Sequence, residues 1–410
     1  LKIAAQTPPL RCTGLGMSAG GEHTVLLDSA GRAVACGNDN YGQCTPPALE
    51  GDATFVQVSA GIDYTLLLCS DGRVVFCGLD EQGECEAPGL EDGITYVQVA
   101  AGVDHSLFLC SDGRALACGN DEDDKCAVPA LAEGITYTQV SAGWMHSLFL
   151  QSDGRAVACG SNTYGQCTVP ALDDDIVYVQ VAAGDFHSLF LRNDGQVVAS
   201  GSAGNDEFVA PEFVAPPLED GITYVQVAAG ANHSLFLRSD GHAVACGSNE
   251  YGQSTVPALE NGATYAQVSA GDRHSVFLRS DGHALAGGSD EHNQCSVPPL
   301  AEGFTYVHST ASQPDRVLQL EFSDTQDENM RILCHSLVGN IVRRLEVRVT
   351  DVAGEVRRRL EVELRAGGNF VGSRLRLVLP DGRLLSDVGA GTAIGDLCAG
   401  RREAKRRRVE

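Results

Sequence analysis

The chain has 410 residues, 43% of them apolar, and a formal net charge of −25. This composition excludes global disorder, and the lack of any run of about 18 apolar residues excludes a membrane-spanning helix. The charge is uneven: residues 1–310 carry 11 Lys and Arg against 39 Asp and Glu, whereas residues 311–410 carry 18 against 15. Because a phosphate backbone requires a basic face, the first part is not expected to bind nucleic acid, and its acidity favours a protein partner with a basic surface.

The first part of the chain is a tandem repeat. A Gly-x-x-His-[Ser/Thr] phrase recurs every 41 residues, with one step of 46 between Gly184 and Gly230, and Tyr64 replaces the histidine in the second copy. The seven copies begin at Gly20, Gly61, Gly102, Gly143, Gly184, Gly230 and Gly271. A fixed period of about 40 residues indicates an architecture in which one small unit is repeated.

Each unit predicts three or four short strands. In the third unit, residues 94–102, 105–110 and 115–119 have the apolar patterns of strands, and residues 126–129 suit a short edge strand because of their proline. The Asp-Gly pair at residues 112–113 predicts a tight hairpin turn in which both residues have positive φ.

These units predict a mainly β fold, a seven-bladed β-propeller over residues 1–310, with an open β-solenoid as the alternative. The closed ring is favoured because both ends of the repeat region supply strand pieces, residues 14–19 and residues 304–308. Together these pieces would complete one shared blade and remove the exposed sheet edges.

The pattern A-x-G-x-x-H-[ST], D-G and C-G-[NS]-x-x-Y-G-Q resembles the repeat of the regulator-of-chromosome-condensation family over residues 14–308. The short period and the G-Q-C-T-V-P-A-L stretch at residues 165–172 are similar to the compact repeats of β-lactamase inhibitory protein II. The resemblance implies a propeller that binds proteins. Nothing in the chain resembles the long β-wedge that the chromosome-condensation regulator inserts against its GTPase.

The second part of the chain has a different pattern. We predict a linker over residues 311–329 and a strand, turn, strand, helix and strand over residues 330–398. This stretch resembles ubiquitin in the order of its elements and in two segments, M-R-I-L and the later D-G-R-L-L-S-D. The resemblance implies a small β-grasp domain. A basic tail, residues 399–410, is a nuclear-import candidate or a solvated charged end. Its basic residues are Arg401, Arg402, Lys405, Arg406, Arg407 and Arg408.

The repeated histidines and cysteines are expected to be structural. One histidine per blade is spread around a ring, which does not suit a metal site, so we predict ring nitrogens that bond backbone between blades. Four units have two cysteines eight residues apart, but in the sixth unit Ser254 stands where the partner of Cys246 would be. Loss of single partners favours free thiols in a reducing compartment over disulfides. No nucleophile elbow, phosphate loop or zinc motif is present, so we predict no enzyme activity, metal or cofactor.

The two residues between the glycine and the histidine differ from copy to copy, and in a propeller they would border one mouth of the channel. Their types include those enriched at protein interfaces, although drift on solvated loops would also make them vary. The predicted protein-binding residues are Ile62, Asp63, Val103, Asp104, Trp144, Met145, Asp185, Phe186, Asn232, Asp272 and Arg273. Phe208 and Phe213, in the longer fifth unit, are a second predicted contact.

The sequence therefore predicts a monomeric, non-enzymatic scaffold or adaptor that acts in the cytoplasm, the nucleus or both. The ubiquitin-like stretch implies, by resemblance, a part in the ubiquitin system. Two alternatives stay open. They are guanine-nucleotide exchange on a Ran-type small GTPase and inhibition of an enzyme.

Overall fold

In a computed structural model the chain divides into two compact units, Leu1–Ser312 and Gln313–Glu410. The structure describes residues 16–173, 175–202, 215–260, 262–301 and 303–307 of the first unit, and the backbone of four strands of the second. Within these ranges, no helix has the length and apolar character that a membrane crossing requires.

The first unit contains seven three-stranded antiparallel sheets, which we number blade 1 to blade 7 in chain order. The strands are β1 (Met17–Ala19), β2 (His23–Leu27), β3 (Ala33–Gly37), β4 (Phe55–Ala60), β5 (Tyr64–Cys69), β6 (Val74–Gly78), β7 (Tyr96–Ala101), β8 (His105–Cys110), β9 (Ala115–Gly119), β10 (Tyr137–Ala142), β11 (His146–Gln151), β12 (Ala156–Gly160), β13 (Tyr178–Ala183), β14 (His187–Arg192), β15 (Val197–Gly201), β16 (Tyr224–Ala229), β17 (His233–Arg238), β18 (Ala243–Gly247), β19 (Tyr265–Ala270), β20 (His274–Arg279) and β21 (Ala284–Gly288). A short 3₁₀ turn, Glu122–Asp124, follows β9.

The core lies between neighbouring blades, because the middle strand of each blade is buried on both faces. In blade 3, Leu107 and Leu109 pack against Tyr137 and Phe149 of blade 4, while Phe108 faces blade 2. Burying one large apolar side chain stabilises a fold by about 1.5–3 kcal/mol. Each blade therefore depends on both of its neighbours.

The hairpin turns differ from the prediction in their geometry. Only the glycine of the Asp-Gly pair has positive φ (Gly113, +84°), and its N–H donates to the Cys110 carbonyl at 2.9 Å. Asp112 instead accepts the backbone N–H of Arg114 at 3.0 Å. The turn is therefore a three-residue loop with glycine in the left-handed position, which needs one positive φ and not two.

The fourth strand predicted at residues 126–129 is wrong, since every blade has three strands. The Val128 N–H donates to the Cys126 carbonyl two residues earlier at 2.9 Å, so the backbone curls and cannot extend along a neighbouring strand. Val128 packs its side chain against the core between blades 3 and 4.

The two ends of the repeat region share blade 1, as predicted. Tyr306 pairs with Asp28, the Val307 N–H donates to the Leu27 carbonyl at 3.1 Å, and the Leu27 N–H donates to the Gly16 carbonyl at 2.7 Å. The late segment supplies the outer half of the first strand and β1 supplies the inner half. This closes the ring and excludes the open solenoid.

A belt of glutamine side chains joins the innermost strands around the channel. Gln98 donates from Nε2 to the Val140 carbonyl of the next blade at 3.2 Å and accepts the Val140 N–H at 2.9 Å. The same two bonds to the next blade are made by Gln57, Gln139, Gln180 and Gln226. The side-chain amide thus satisfies a backbone N–H and C=O of the next blade, where no neighbouring strand pairs with them.

Replacing Gln98→Ala is expected to lower the free energy of unfolding by about 2–4 kcal/mol, because it leaves the N–H and C=O of Val140 without partners. Urea unfolding followed by circular dichroism measures this loss. Gln82→Ala is the matched control, since the Gln82 side chain is exposed, and its effect is expected to stay within about 0.5 kcal/mol. Equal losses in the two variants would contradict the role of the belt.

The second unit has four described strands, β22 (Arg316–Asp324), β23 (Asn329–Ser336), β24 (Ile341–Arg348) and β25 (Leu375–Val378). They lie in the order β24-β23-β22-β25, and β22 pairs with β25 in parallel. The linker predicted over residues 311–329 is wrong where it contains β22, whose apolar residues alternate like those of a strand. The predicted helix and the basic tail lie outside the described residues, and the ubiquitin-like assignment stays a prediction.

Candidate functional site

Seven glycines, the first residue of each repeated phrase, form a ring at one end of the channel, here called the channel mouth. A Cβ on Gly143 would lie 2.2 Å from the Gly184 carbonyl oxygen of the next blade and 3.0 Å from Cε1 of His146. The same close approach occurs in every blade and closes the ring from Gly271 to the Gly20 oxygen at 2.4 Å. The ring holds the turns between the first and second strands, and so it positions the two variable residues of each phrase.

The two variable residues take different places at the channel mouth. The first residue lines the channel in six of the seven blades: Gly21, Ile62, Val103, Asp185, Ala231 and Asp272. The second residue lies beside the polar loop that follows the third strand of the same blade; the Asp104 carbonyl, for example, accepts the Asn120 N–H at 2.8 Å. The channel has a cavity volume of about 170 Å³.

The repeated histidines link the blades. His105 Nε2 lies 2.9 Å from Ser147 Oγ of the next blade, and that hydroxyl donates to the Lys125 carbonyl at 2.7 Å. Because the hydroxyl proton is used, Nε2 must carry the hydrogen of this bond and the hydroxyl oxygen accepts it. The other pairs are His23–Thr65, His146–Ser188, His187–Ser234, His233–Ser275 and His274–Thr24, at 2.7–2.8 Å.

These contacts confirm that the histidines act between blades, but the predicted backbone partner is wrong, because each Nε2 contacts a side-chain hydroxyl. Burial disfavours the imidazolium form and lowers the pKa of His146 to about 3 and that of His23 to about 4. Among the described residues, no group of three or more His, Cys, Asp or Glu is placed to hold a metal ion.

An aromatic cluster stands on the rim of the channel mouth between blades 4 and 5. The rings of Trp144 and Tyr164 each meet the Phe186 ring edge-on, at centroid distances of 5.1 Å and 5.0 Å. Trp144 is 37% exposed and Tyr164 is 46% exposed, whereas Phe186 is half-buried, so the cluster presents two aromatic rings to solvent. On another part of the rim, the Arg273 guanidinium lies over the Tyr251 ring at 5.0 Å.

Carboxylates give the channel mouth a negative potential. Burial raises the pKa of Asp185 to about 7, and the charge of Asp272 raises it further. Burial likewise raises the pKa of Asp272 to about 6, and Glu22 and Asp63 add to this effect while Arg273 opposes it. Two partly shielded carboxylates thus lie in the channel wall without a neutralising partner close to both.

One carboxylate of the rim, Asp104, is neutralised by a buried lysine of the same chain. Lys125, only 2% exposed, places its Nζ 2.8 Å from Asp104 Oδ1. Burial opposes ionisation of Asp104, but the interactions with His105 and Lys125 outweigh it and lower the pKa of this carboxyl. The rim beside blade 3 is therefore less negative than the wall formed by Asp185 and Asp272.

The paired cysteines serve as hydrogen-bond donors. Cys159 Sγ lies 3.3 Å from the Lys125 carbonyl oxygen, and Cys167 Sγ lies 3.1 Å from the Ser161 carbonyl oxygen. At the equivalent positions Ser200 and Ser254 make the same contacts through their hydroxyls. This explains why one member of a pair can change alone, and all cysteines of the described residues are free thiols.

The structure places the predicted binding residues at the channel mouth, and it brings Trp144 and Phe186 together while Arg273 lies apart from them. Phe208, Phe213 and the basic tail lie outside the described residues. Sequence reasoning missed Tyr164, Tyr251 and Lys125, which belong to the polar loops. The sequence signal that could have identified Tyr164 and Tyr251 is that their position in the polar loop differs between units. It holds Tyr41, Gln82, Asp123, Tyr164, Tyr251 and His292.

Six segments of the chain match the Regulator of chromosome condensation (RCC1) repeat, namely residues 16–43, 96–124, 137–166, 178–207, 224–253 and 265–294. The copy that contains Tyr64 is not among them. A comparison with curated protein sequences gives no match. Six segments of the chain are therefore similar to RCC1 repeats, whereas the likeness to β-lactamase inhibitory protein II stays a prediction.

Solved structures support the same architecture. Prp20p from Saccharomyces cerevisiae is 21% identical with a TM-score of 0.52, over 67% of this chain and 83% of that chain. Human WBSCR16 is 21% identical with a TM-score of 0.55, over 64% of this chain and 86% of that chain. The CRINKLY WD40 ectodomain of the Arabidopsis thaliana receptor kinase ACR4 is 15% identical with a TM-score of 0.52, over 69% of this chain and 98% of that chain. At these identities the likeness establishes the fold, an RCC1-like propeller.

Proposed function

We propose that the chain is a non-enzymatic protein-interaction scaffold whose partner binds at the channel mouth. The observation that carries this proposal is the exposed cluster of Trp144, Tyr164 and Phe186 on the rim, beside the acidic channel wall. Large aromatic side chains supply most of the binding energy at many protein interfaces. The closed ring holds them in place before binding, so little conformational entropy is lost when a partner docks.

The repeat class and the charge support a protein partner with a basic surface. Prp20p, which shares the propeller fold, is described by its binding to Gsp1p and histones. In this chain, Glu22, Asp63, Asp185 and Asp272 surround the mouth, and complementary charge accelerates and orients docking. The proposed link to the ubiquitin system has separate support, the resemblance of residues 330–398 to ubiquitin.

Affinity capture with mass spectrometry tests the proposal. The full chain is compared with the variant Trp144→Ala/Phe186→Ala, after circular dichroism and urea unfolding have shown that both are folded. A discrete group of captured proteins is expected to fall at least about tenfold in the variant, because truncating a central aromatic residue costs about 2 kcal/mol or more of binding energy.

Phe76→Ala is the matched control, since Phe76 is 41% exposed but lies on the outer strand β6, away from the channel mouth. This variant is expected to capture the same proteins as the parent. An unchanged group of partners in the mouth variant would contradict the proposal. If a captured small GTPase releases its nucleotide faster with the parent but not with the mouth variant, nucleotide exchange replaces scaffolding as the function.

A further inference from the structure

We propose that the first strand of blade 1, which is made of β1 and residues 303–307, opens while the rest of the propeller stays folded. Residues 303–307 are here called the strap. Opening exposes the channel from the side, because Ser18 and Ala19 of β1 line it. This inference goes beyond the protein-binding function and does not rest on it. It follows from the differences between blade 1 and the other six blades, which are built on the same pattern.

The first difference is that the first strand of blade 1 is split. In blades 2 to 7 this strand has six residues, as in Tyr96–Ala101, whereas β1 has three and the strap completes it. The strap is joined to the middle strand where the Ser29 N–H donates to the Thr305 carbonyl at 2.9 Å. Because β1 and the strap come from distant parts of the chain, the strap can leave the sheet without pulling on β1.

The second difference is a gap in the glutamine belt. Gly16 stands where the other six blades have glutamine, so no glutamine side chain reaches from blade 1 to blade 2. On the other side, Gln267 of blade 7 donates to the Met17 carbonyl at 3.4 Å, and its Oε1 has no donor among the described residues. A complete first strand such as β10 takes part in four belt bonds, two to each neighbouring blade. The first strand of blade 1 takes part in one, so three bonds are missing.

The third difference is the packing of the tyrosine at the start of the first strand. In blades 3 to 7 its ring meets a phenylalanine ring of the middle strand at a centroid distance of 5.1–5.3 Å, as Tyr96 meets Phe108. In blade 1 the strap supplies Tyr306, which packs in the cluster that contains Leu26 and has no ring partner among the described residues. An aromatic pair stabilises a fold beyond the area that it buries, so the strap lacks this contribution too.

The middle strand of blade 1 is not weakened in the same way. His23 contacts Thr65 of blade 2, and Thr24 contacts His274 of blade 7, both at 2.8 Å, as the equivalent residues do in other blades. Regions with few stabilising contacts open locally at a lower free energy than the whole domain unfolds. The weakness is confined to the first strand, and the ring of middle strands stays closed when this strand opens.

Native-state hydrogen exchange of the full chain tests the inference. The Ser29 N–H reports on the strap, and the N–H groups of Ser111 and Ser239 are matched references, since each makes the same bond at 2.8 Å to a first strand that is complete. One hydrogen bond changes an equilibrium by about fivefold, so three missing bonds predict a protection factor about 100-fold lower at Ser29 than at the references. Equal protection at the three serines would overturn the inference.

Gly16→Gln tests the cause, because it gives blade 1 the glutamine that the other blades have at this position. The added amide can satisfy the N–H and C=O of Val58, and the exchange at Ser29 is expected to slow at least about tenfold. Gly16→Leu adds bulk without an amide and is the matched control, which is not expected to slow this exchange. Unchanged exchange in a folded Gly16→Gln variant, or equal slowing in both variants, would contradict the role of the belt gap.

The reverse change keeps the inference testable if Gly16→Gln does not fold. Gln139→Ala removes two belt bonds from the first strand of blade 4, and the Ser152 N–H, which donates to the Thr136 carbonyl at 2.8 Å, reports on that strand. Exchange at Ser152 is expected to become at least about tenfold faster, whereas exchange at Ser239 of blade 6 stays unchanged. If Ser152 keeps its protection, missing belt bonds do not open a first strand and the inference fails.

Discussion

Lowering the pH from about 7 to about 4.5 is expected to unfold the propeller, because the ring histidines cannot accept protons while they are buried. Burial lowers the pKa of His146 and His274 to about 3 and that of His23 to about 4. In the unfolded chain these histidines have ordinary pKa values and bind protons at a pH where they stay unprotonated in the folded chain. Stability therefore falls once the pH drops below about 6.5 and continues to fall down to the folded-state pKa values.

The size of this effect is large compared with the stability of a domain. Five ring histidines, His23, His146, His187, His233 and His274, have pKa values of about 3 or 4. At about pH 4.5 each of these five costs about 2–3 kcal/mol, and together they are comparable to the roughly 5–15 kcal/mol that stabilises a typical domain. Asp185 and Asp272 act in the opposite direction, since their raised pKa values make the folded state bind their protons first. For these five histidines and two aspartates, the balance is a net uptake of about three protons on unfolding near pH 5.

Urea unfolding at a series of pH values measures this proton uptake from the slope of stability against pH. A stability that does not change between about pH 7 and about pH 5 would contradict the neutral, hydroxyl-bonded state of the ring histidines.

Gly143→Ala is expected to lower the free energy of unfolding by about 3 kcal/mol or more. The added methyl group would meet the Gly184 carbonyl oxygen at 2.2 Å, and this oxygen belongs to the backbone of the next blade, which cannot move without disturbing the glycine ring. Overpacking of a tight core costs about 1–3 kcal/mol even where side chains can shift. Urea unfolding of the parent and the variant measures the loss.

Gly89→Ala is the control for this substitution, because a Cβ on Gly89 meets no atom within 4 Å and its φ is not positive. Its effect is expected to stay within about 0.5 kcal/mol. If Gly143→Ala is as stable as Gly89→Ala, the blades are not in contact at the glycine ring as described.

The repeats explain how much of the fold could be predicted. The strand at residues 105–110 has the predicted bounds, because seven copies of the pattern show which positions are apolar in every blade. The shared first blade could also be predicted, since each terminal piece matches half of a strand seen complete elsewhere. The strand Arg316–Asp324 was missed although Leu318, Leu320 and Phe322 alternate, because the pattern occurs once and has no other copies to support it.

The candidate site was predicted only where the copies differ. Trp144 and Phe186 stand out because no other copy has an aromatic residue at its two variable positions. Tyr164 does not, because the same loop position holds a tyrosine in two other units. Lys125 replaces a loop glutamine or glutamate of other units, but this loop was not compared from copy to copy. Their contacts join positions about 20 residues apart, Tyr164 to Phe186 and Lys125 to Asp104. Spacing along the chain cannot show which of these loops turns toward the mouth.

The most direct measurement of the central claim is hydrogen–deuterium exchange on the full chain, alone and with a captured partner. Binding at the channel mouth predicts slower exchange at the turns around residues 102–105, 143–146 and 184–187, and unchanged exchange at the Asp-Gly turns, which lie at the opposite end of the blades. Slower exchange at the Asp-Gly turns, such as residues 111–114, with none at the mouth would contradict the claim.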